Sequence, residues 1–127
     1  MDTLIIEGSS KTPKVIFDAE KGELLLEGRS IPENSLEFYI PLMEWVEAYS
    51  HEVKTDIVVH MKLEYFNTSS SKCILDFFRK LETFTNRGNK VSVNWYFEED
   101  DEDMMEAGED YNAIVGLPFV MVEQKEA

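Results

Sequence analysis

The sequence predicts an α+β fold in which a mixed β-sheet carries its helices mainly on one face. Apolar and polar residues alternate in 55–66 and again in 90–97, as in strands that bury only one face. A segment with helical apolar spacing joins these two strands, and such a unit pairs its strands in parallel. The full order is β-β-β-α-β-α-β-α-β. No repeat or long linker divides it, so we expect one domain over residues 1–127.

The first three strands are short apolar runs near the N-terminus. Leu4–Ile6 is the first of them. Lys14–Asp18 and residues 23–27 flank a short link that contains Gly22, which is typical of a hairpin.

A first helix is expected after residues 32–35, which are common helix-start residues. The positions at helical spacing are Leu36, Tyr39, Ile40, Met43, Val46 and Ala48–Tyr49. Pro41 lies among them. Because proline lacks the N–H group, we expect it either to kink the helix or to mark its first turn.

A second helix connects the two alternating strands, and a third follows them. The second has apolar spacing at Ile74, Phe77, Phe78, Leu81 and Phe84, and residues 86–89 provide a glycine cap. Residues 98–103 are six consecutive acids without the spacing of a calcium-binding loop. We expect a solvated, mobile loop there, or an electrostatic attraction for a basic partner. A short helix to about Ala113 and a strand over 118–123 complete the order.

Composition narrows the class of partner. The 127 residues are 43% hydrophobic and 12% aromatic, which is typical of a globular protein. The formal net charge is −14, so nucleic acid and anionic membranes are disfavoured as partners. Cys73 is the single cysteine, which excludes an internal disulfide. The sequence has no signal-peptide pattern and no apolar run of membrane-spanning length, so we expect a cytoplasmic protein.

The most unusual local feature is Asn67 followed by Thr68, Ser69, Ser70 and Ser71, placed between a predicted strand and a predicted helix. One of these side chains caps the helix. The others could cradle a phosphate, supply a nucleophile or accept a modification. No G-x-x-x-x-G-K-[ST] or G-x-G-x-x-G motif is present, so we expect no bound cofactor.

Modification of a hydroxyl in this run would work as a switch. A phosphoryl group adds about 1.5–2 negative charges, which a helix N-terminus tolerates. A partner pressed against the same position would have to desolvate a dianion. From the residues alone, any of the four hydroxyls could be the modified one.

Two other residues are candidate reactive groups. A small hydrolase could combine a hydroxyl of the run with His60, although the sequence has no nucleophile-elbow motif. Cys73 falls in the first turns of the second helix. We expect it to be a packed core residue and not a reactive thiol.

Four stretches together carry a resemblance to a known family: GRSIPENSLEFYIPLMEWVEAY, LEYFNTSSSKCILDFFRKLE, VSVNWYFEEDDEDMMEAGEDY and LPFVMVE. Over nearly its whole length the chain resembles the SiaC family of bacterial regulatory phosphoproteins. The resemblance implies a fold like that of anti-sigma-factor antagonists (STAS) and a non-enzymatic role. It also implies three partners, namely a serine/threonine kinase, a PP2C-type phosphatase and a diguanylate cyclase. The unphosphorylated form would activate the cyclase, and cyclic di-GMP would then promote aggregation or biofilm formation.

The resemblance also implies which residues form the site. It puts the phosphothreonine at Thr68. The surrounding surface read by a kinase or cyclase would comprise Phe66, Asn67, Ser69, Ser70 and Lys72. From the strand alternation, Tyr65 falls on the same side as Ile57 and Leu63, so we expect it to point inward and support this surface. The alternative role is that of an anti-anti-sigma factor, which would share the switch but bind an anti-sigma kinase.

Overall fold

A six-stranded mixed sheet organises the chain in a computed structural model that describes residues 1–52 and 55–125. Residues 53–54 and 126–127 of the expected domain lie outside the described residues. Across the described part, the elements are β1 Leu4–Ile6, β2 Lys14–Asp18, β3 Glu23–Ser30, α1 Ser35–Tyr49, β4 Ile57–Phe66, α2 Thr68–Thr85, β5 Val91–Glu98, α3 Glu102–Ile114 and β6 Phe119–Gln124. The predicted element order is confirmed.

The strands lie in the sheet in the same order as in the sequence, from β1 to β6. The pairs β1–β2 and β2–β3 are antiparallel, and the three pairs from β3 to β6 are parallel. Each parallel pair is joined by one helix, so α1, α2 and α3 all begin at the edge where β3, β4 and β5 end. That shared edge brings the three helix N-termini together.

The core lies between the helices and one face of the sheet. Alternate residues of the strands point into it, among them Phe17, Leu24, Met61 and Trp95. All five positions predicted for the inner face of α2 are buried. The mixed sheet with helices on one face is therefore confirmed. No helix in the described ranges is both long enough and apolar enough to span a membrane.

The face predicted for α1 was partly wrong. Tyr39, Val46 and Tyr49 are buried as expected, but Leu36 and Ile40 are exposed. Apolar residues occupy most sides of this helix, so their spacing alone did not determine which side packs on the sheet. Pro41 lies inside the helix and not in its first turn, because Asn34 caps the N-terminus by accepting a bond from Glu37 N (3.1 Å).

A β-bulge changes the register near the end of β4. Gly28 pairs with Leu63, and the next residue of β3 pairs with Tyr65, which leaves Glu64 as an extra residue. Gly28 has a φ of 119°, a conformation that favours glycine. The extra residue reverses the alternation beyond Leu63. The inward position predicted for Tyr65 was therefore wrong, because its side chain is 52% exposed, and Phe66 packs against the core instead.

The acidic run does not form the predicted mobile loop. Glu98 is the last residue of β5, and Asp101 is the N-cap of α3, where its carboxylate accepts a hydrogen bond from Met104 N (3.0 Å). Glu102 and Asp103 lie in the first helical turn. Carboxylates at these positions cap free N–H groups and face the positive end of the helix dipole, so the second half of the run is a helix start, preceded by a turn at Glu99 and Asp100.

Candidate functional site

The hydroxyl run forms the first turn of α2. Asn67 follows β4 directly and caps the helix, and its Oδ1 accepts hydrogen bonds from Ser70 N (2.9 Å) and Ser69 Oγ (3.1 Å). The prediction that one residue of the run caps the helix is confirmed, with Asn67 in that role. The four hydroxyls that follow therefore point to different sides of a fixed helical turn.

Ser70 lies inside the protein and not on its surface. Its side chain is 0% exposed, and its Oγ donates to Ser30 O (3.0 Å) and accepts from Ser30 Oγ (2.9 Å). The surface position predicted for Ser70 was therefore wrong. The apolar spacing of α2 contained a signal for this outcome, because Ser70 precedes Ile74 by four residues and Phe77 by seven, on the inner face of the helix.

Ser69 and Ser71 are both held by protein hydrogen bonds. Ser69 Oγ is 2.6 Å from Ser35 Oγ, which ties the first turn of α2 to the first turn of α1. Ser71 Oγ lies 3.1 Å from the Tyr111 hydroxyl, and that hydroxyl donates to Ser71 O (2.8 Å). Burial raises the pKa of Tyr111, and the bond from Ser71 opposes this shift. These two serines thus connect α2 to both neighbouring helices.

Thr68 differs from its three neighbours. Its side chain is exposed, and its hydroxyl makes no hydrogen bond to any residue that the structure describes. It is the first residue of α2, at the edge of the sheet where the three helices begin. Of the four hydroxyls, Thr68 Oγ1 is the one that a modifying enzyme can reach without breaking an internal bond.

A groove of about 430 Å³ opens between α2 and α3 beside Thr68; we call it the α2–α3 groove. Its walls are formed by Phe66, Thr68, Ser71, Lys72, Leu75, Ala107, Asp110, Tyr111 and Ile114. Phe66, Thr68 and Lys72 were predicted for the site, and the structure brings them to one groove. The sequence analysis did not predict that α3 forms one wall of this groove. No motif distinguishes the α3 residues, and they come near Thr68 only because the β5–α3–β6 connection places them there.

His60 is remote from the hydroxyl run. It lies on the open face of the sheet, where its Nδ1 is 3.1 Å from the Tyr96 hydroxyl, whereas the run lies on the helix side. The predicted pairing of His60 with a hydroxyl of the run, which a hydrolase would need, is therefore wrong. Cys73 packs against the core as expected, and burial raises the pKa of its thiol, with Asp76 adding to the shift.

Comparisons with known proteins identify the same fold in solved structures. Apo-SiaC from Pseudomonas aeruginosa is 31% identical and has a TM-score of 0.88, with 96% of this chain and 99% of that chain covered. A second structure, that of diguanylate cyclase SiaD in complex with its activator SiaC from the same organism, matches with a TM-score of 0.89 and 30% identity, over 95% of this chain and 99% of that one. Neither bears on the predicted STAS likeness, which stays a prediction.

Sequence comparisons agree with the structural ones. An uncharacterised protein of Pseudomonas aeruginosa is 31% identical over 121 residues, which are 95% of this chain and 96% of the relative. The model of the SiaC family of regulatory phosphoproteins matches residues 6–124. The described elements from β2 to β6 all fall inside that match. The chain therefore belongs to the SiaC family of regulatory phosphoproteins.

Proposed function

We propose that this protein is a phosphorylation-controlled activator of a diguanylate cyclase. The unphosphorylated form binds the cyclase and raises cyclic di-GMP synthesis, and phosphorylation of Thr68 blocks binding. The observation that carries the proposal is the exposed Thr68 hydroxyl at the first position of α2, which bonds to none of the described residues, in a chain of this family. The related SiaC of Pseudomonas aeruginosa, which is the activator in a complex with the diguanylate cyclase SiaD, supports the choice of partner.

The covalent step is a phosphoryl transfer. A serine/threonine kinase moves the γ-phosphoryl group of ATP to Thr68 Oγ1. The bond to the β-phosphate breaks, ADP leaves and the hydroxyl proton is released. A PP2C-type phosphatase reverses the modification by hydrolysis, which restores the hydroxyl and releases inorganic phosphate. The kinase uses ATP and the cyclase uses GTP. Both nucleotides are found in the cytoplasm, so we place the cycle there. Its output is the control of aggregation or biofilm formation.

The start of α2 can accept the added charge without unfolding. Free N–H groups and the positive end of the helix dipole stabilise an anion there by about 0.3–1 kcal/mol at an exposed position. Asn67 holds the first turn through two bonds that do not involve Thr68. The phosphate therefore changes what can dock at this position and leaves the fold intact. Asn67, Ser69 and Lys72 are the neighbouring polar side chains that a kinase or cyclase would contact.

The test compares three forms of the full chain with a cyclase from the same organism. We expect unphosphorylated wild type and Thr68→Ala to bind the cyclase and to raise cyclic di-GMP production. The stoichiometrically phosphorylated protein should do neither, and Thr68→Glu should be weakened, because one carboxylate imitates a phosphate incompletely. Thr83→Ala, which removes an exposed hydroxyl near the other end of α2, is the matched control and should be phosphorylated like wild type. Equal activation by the phosphorylated and unphosphorylated proteins would contradict the switch.

A further inference from the structure

Ser69 is the serine of the hydroxyl run whose accessibility is most like that of Thr68. Ser70 is fully buried and Ser71 is half-buried, so the fold itself shields their hydroxyls. Ser69 is exposed, as Thr68 is, and it is the next residue in the first turn of α2. An enzyme that reaches Thr68 is therefore also close to Ser69. Exposure alone does not explain how a kinase would select one of these two hydroxyls.

The hydrogen bonds of Ser69 distinguish it from Thr68. Ser69 Oγ donates to Asn67 Oδ1 (3.1 Å) and lies 2.6 Å from Ser35 Oγ. A serine hydroxyl has one proton, and that of Ser69 is directed to Asn67, so Ser35 is the donor in the second bond. Ser69 thus uses both its proton and an oxygen lone pair within the protein. The Thr68 hydroxyl, in contrast, bonds to none of the residues that the structure describes.

Ser35 is held in a position from which it can keep this bond. It is the first residue of α1 and is only 5% exposed. Its Oγ also lies 3.4 Å from Ser70 Oγ, whose own proton is donated to Ser30 O (3.0 Å). The proton of Ser35 therefore remains available to Ser69. The bond joins the starts of two helices and directs the Ser69 hydroxyl toward α1.

Phosphoryl transfer requires a hydroxyl that can turn toward the kinase. The attacking oxygen has to lie in line with the bond that breaks, and its proton has to reach a base of the kinase. Ser69 meets neither condition while both of its hydrogen bonds are intact. Each bond that has to be broken slows the transfer by a factor of about two to twelve, since that is the range of a single net hydrogen bond.

We propose that Ser35 is a specificity-determining residue of the phosphorylation switch, which confines the phosphate to Thr68 by bonding to Ser69. This inference rests on the proposed function, because it requires a kinase that modifies this turn. Without Ser35, the kinase also moves the γ-phosphoryl group of ATP to Ser69 Oγ. The bond to the β-phosphate breaks, ADP leaves and the hydroxyl proton passes to the base of the kinase. Ser35 contacts no reacting atom of Thr68, so it is a positioning residue that acts through Ser69.

The test removes Thr68, so that transfer to the neighbouring serine can be measured. The full chain with Thr68→Ala, alone or with Ser35→Ala, is incubated with ATP and the serine/threonine kinase of the same organism, and mass spectrometry maps the phosphate. We expect Ser69 to be phosphorylated about three to ten times faster in the double variant, and an added Ser69→Ala should remove this phosphate. Thr68→Ala with Ser92→Ala is the matched control, because Ser92 lies on β5 outside the hydroxyl network, and it should behave like Thr68→Ala alone.

The mapped positions separate a role in selectivity from a general loosening of the fold. Phosphate that also appears on Ser70 or Ser71 would mean that the whole turn opens, which overturns a role of Ser35 directed at Ser69. A rate at Ser69 that does not change with Ser35→Ala overturns the inference as well. In both cases the proposed function stands if the wild-type chain is phosphorylated on Thr68. A wild-type chain that receives no phosphate on Thr68 overturns the proposed function and this inference together.

Discussion

At the scale of single residues, Thr68 and Ser70 are two positions apart and have opposite environments. Thr68 faces water, and its hydroxyl bonds to no residue in the described part of the chain, whereas the Ser70 hydroxyl is enclosed against the end of β3. The Tyr39 hydroxyl belongs to the same buried hydrogen-bond network as Ser70, since it is 2.7 Å from Ser30 Oγ. One hydroxyl is therefore accessible to solvent, and the other holds α2 against the sheet.

Removal of the enclosed hydroxyl should destabilise the fold. We expect Ser70→Ala to lower the free energy of unfolding by about 1–3 kcal/mol, because Ser30 O and Ser30 Oγ lose a buried partner. Thr68→Ala should change it by less than about 0.5 kcal/mol, since nothing in the described structure bonds to that hydroxyl. Urea unfolding of both variants measures the difference. Equal values for the two would contradict the assigned environments.

The sequence identifies the hydroxyl run as a candidate site but does not show which of its four hydroxyls is accessible. Four hydroxyls in a row have the same chemistry, and only the direction of each side chain separates them. Ser70 could have been placed inside from its spacing to Ile74 and Phe77. The bonds of Ser69 to Ser35 and of Ser71 to Tyr111 join residues 34 and 40 positions apart. No local pattern predicts such pairs, so the selection of Thr68 required the family resemblance or the structure.

At the scale of elements, α3 is fitted closely against the sheet. A Cβ atom built on Gly108 would lie 2.4 Å from Trp95 Cδ1 and 2.8 Å from Met121 Cε. The Trp95 ring is fully buried, and its Nε1 donates to Met104 O (2.9 Å), so it cannot easily move. Glycine at this position lets α3 approach β5, which in turn brings Ile114 and Asp110 to Thr68.

A side chain at Gly108 should therefore disturb α3. In an exposed helix, replacement of glycine by alanine stabilises by about 0.8–1 kcal/mol. Gly108→Ala should instead destabilise by about 1–3 kcal/mol through overpacking against Trp95. Thermal unfolding followed by tryptophan fluorescence provides the measurement. A rise in melting temperature would show that α3 does not pack as closely as described.

The elements themselves were easier to predict than their faces. The five inward positions of α2 were correct because its outer side is polar and leaves one apolar stripe. In α1, apolar residues lie on several sides, and Leu36 and Ile40 were assigned to the wrong one. The outward direction of the Tyr65 side chain depends on Glu64, which is left unpaired next to the Gly28–Leu63 pair between β3 and β4. The prediction of such a bulge requires the pairing with the neighbouring strand, and the sequence of β4 alone does not contain that information.

At the scale of the whole molecule, buried tyrosines make the stability sensitive to alkali. Burial raises the pKa of Tyr39, Tyr49 and Tyr111 above the ordinary value for tyrosine. The unfolded chain would therefore lose these protons at lower pH than the folded chain. Their contribution to stability is complete below about pH 10, the unfolded pKa, and is lost as the pH rises toward the folded values. Burial shifts Cys73 in the same direction.

We expect the free energy of unfolding to be lower at pH 10.5 than at pH 8. Urea titrations at the two pH values measure this difference. Tyr39→Phe should reduce the alkaline loss, because it removes the most strongly shifted of the three hydroxyls. An unchanged pH dependence in Tyr39→Phe, together with unchanged stability of wild type at pH 10.5, would contradict the burial of these hydroxyls.

The sequential strand order has a consequence for biosynthesis. Every strand from β2 onward pairs with the one that precedes it in the chain, so none waits for a segment that has not yet been translated. The hairpin of β2 and β3 can form first, and each later helix–strand unit adds to an edge that already exists. Domains in which contacting segments are near neighbours in sequence fold faster than those that need distant pairings. The nascent polypeptide can therefore add its strands to the sheet in the order in which they leave the ribosome, and each stage leaves one unpaired strand edge exposed until the next strand arrives.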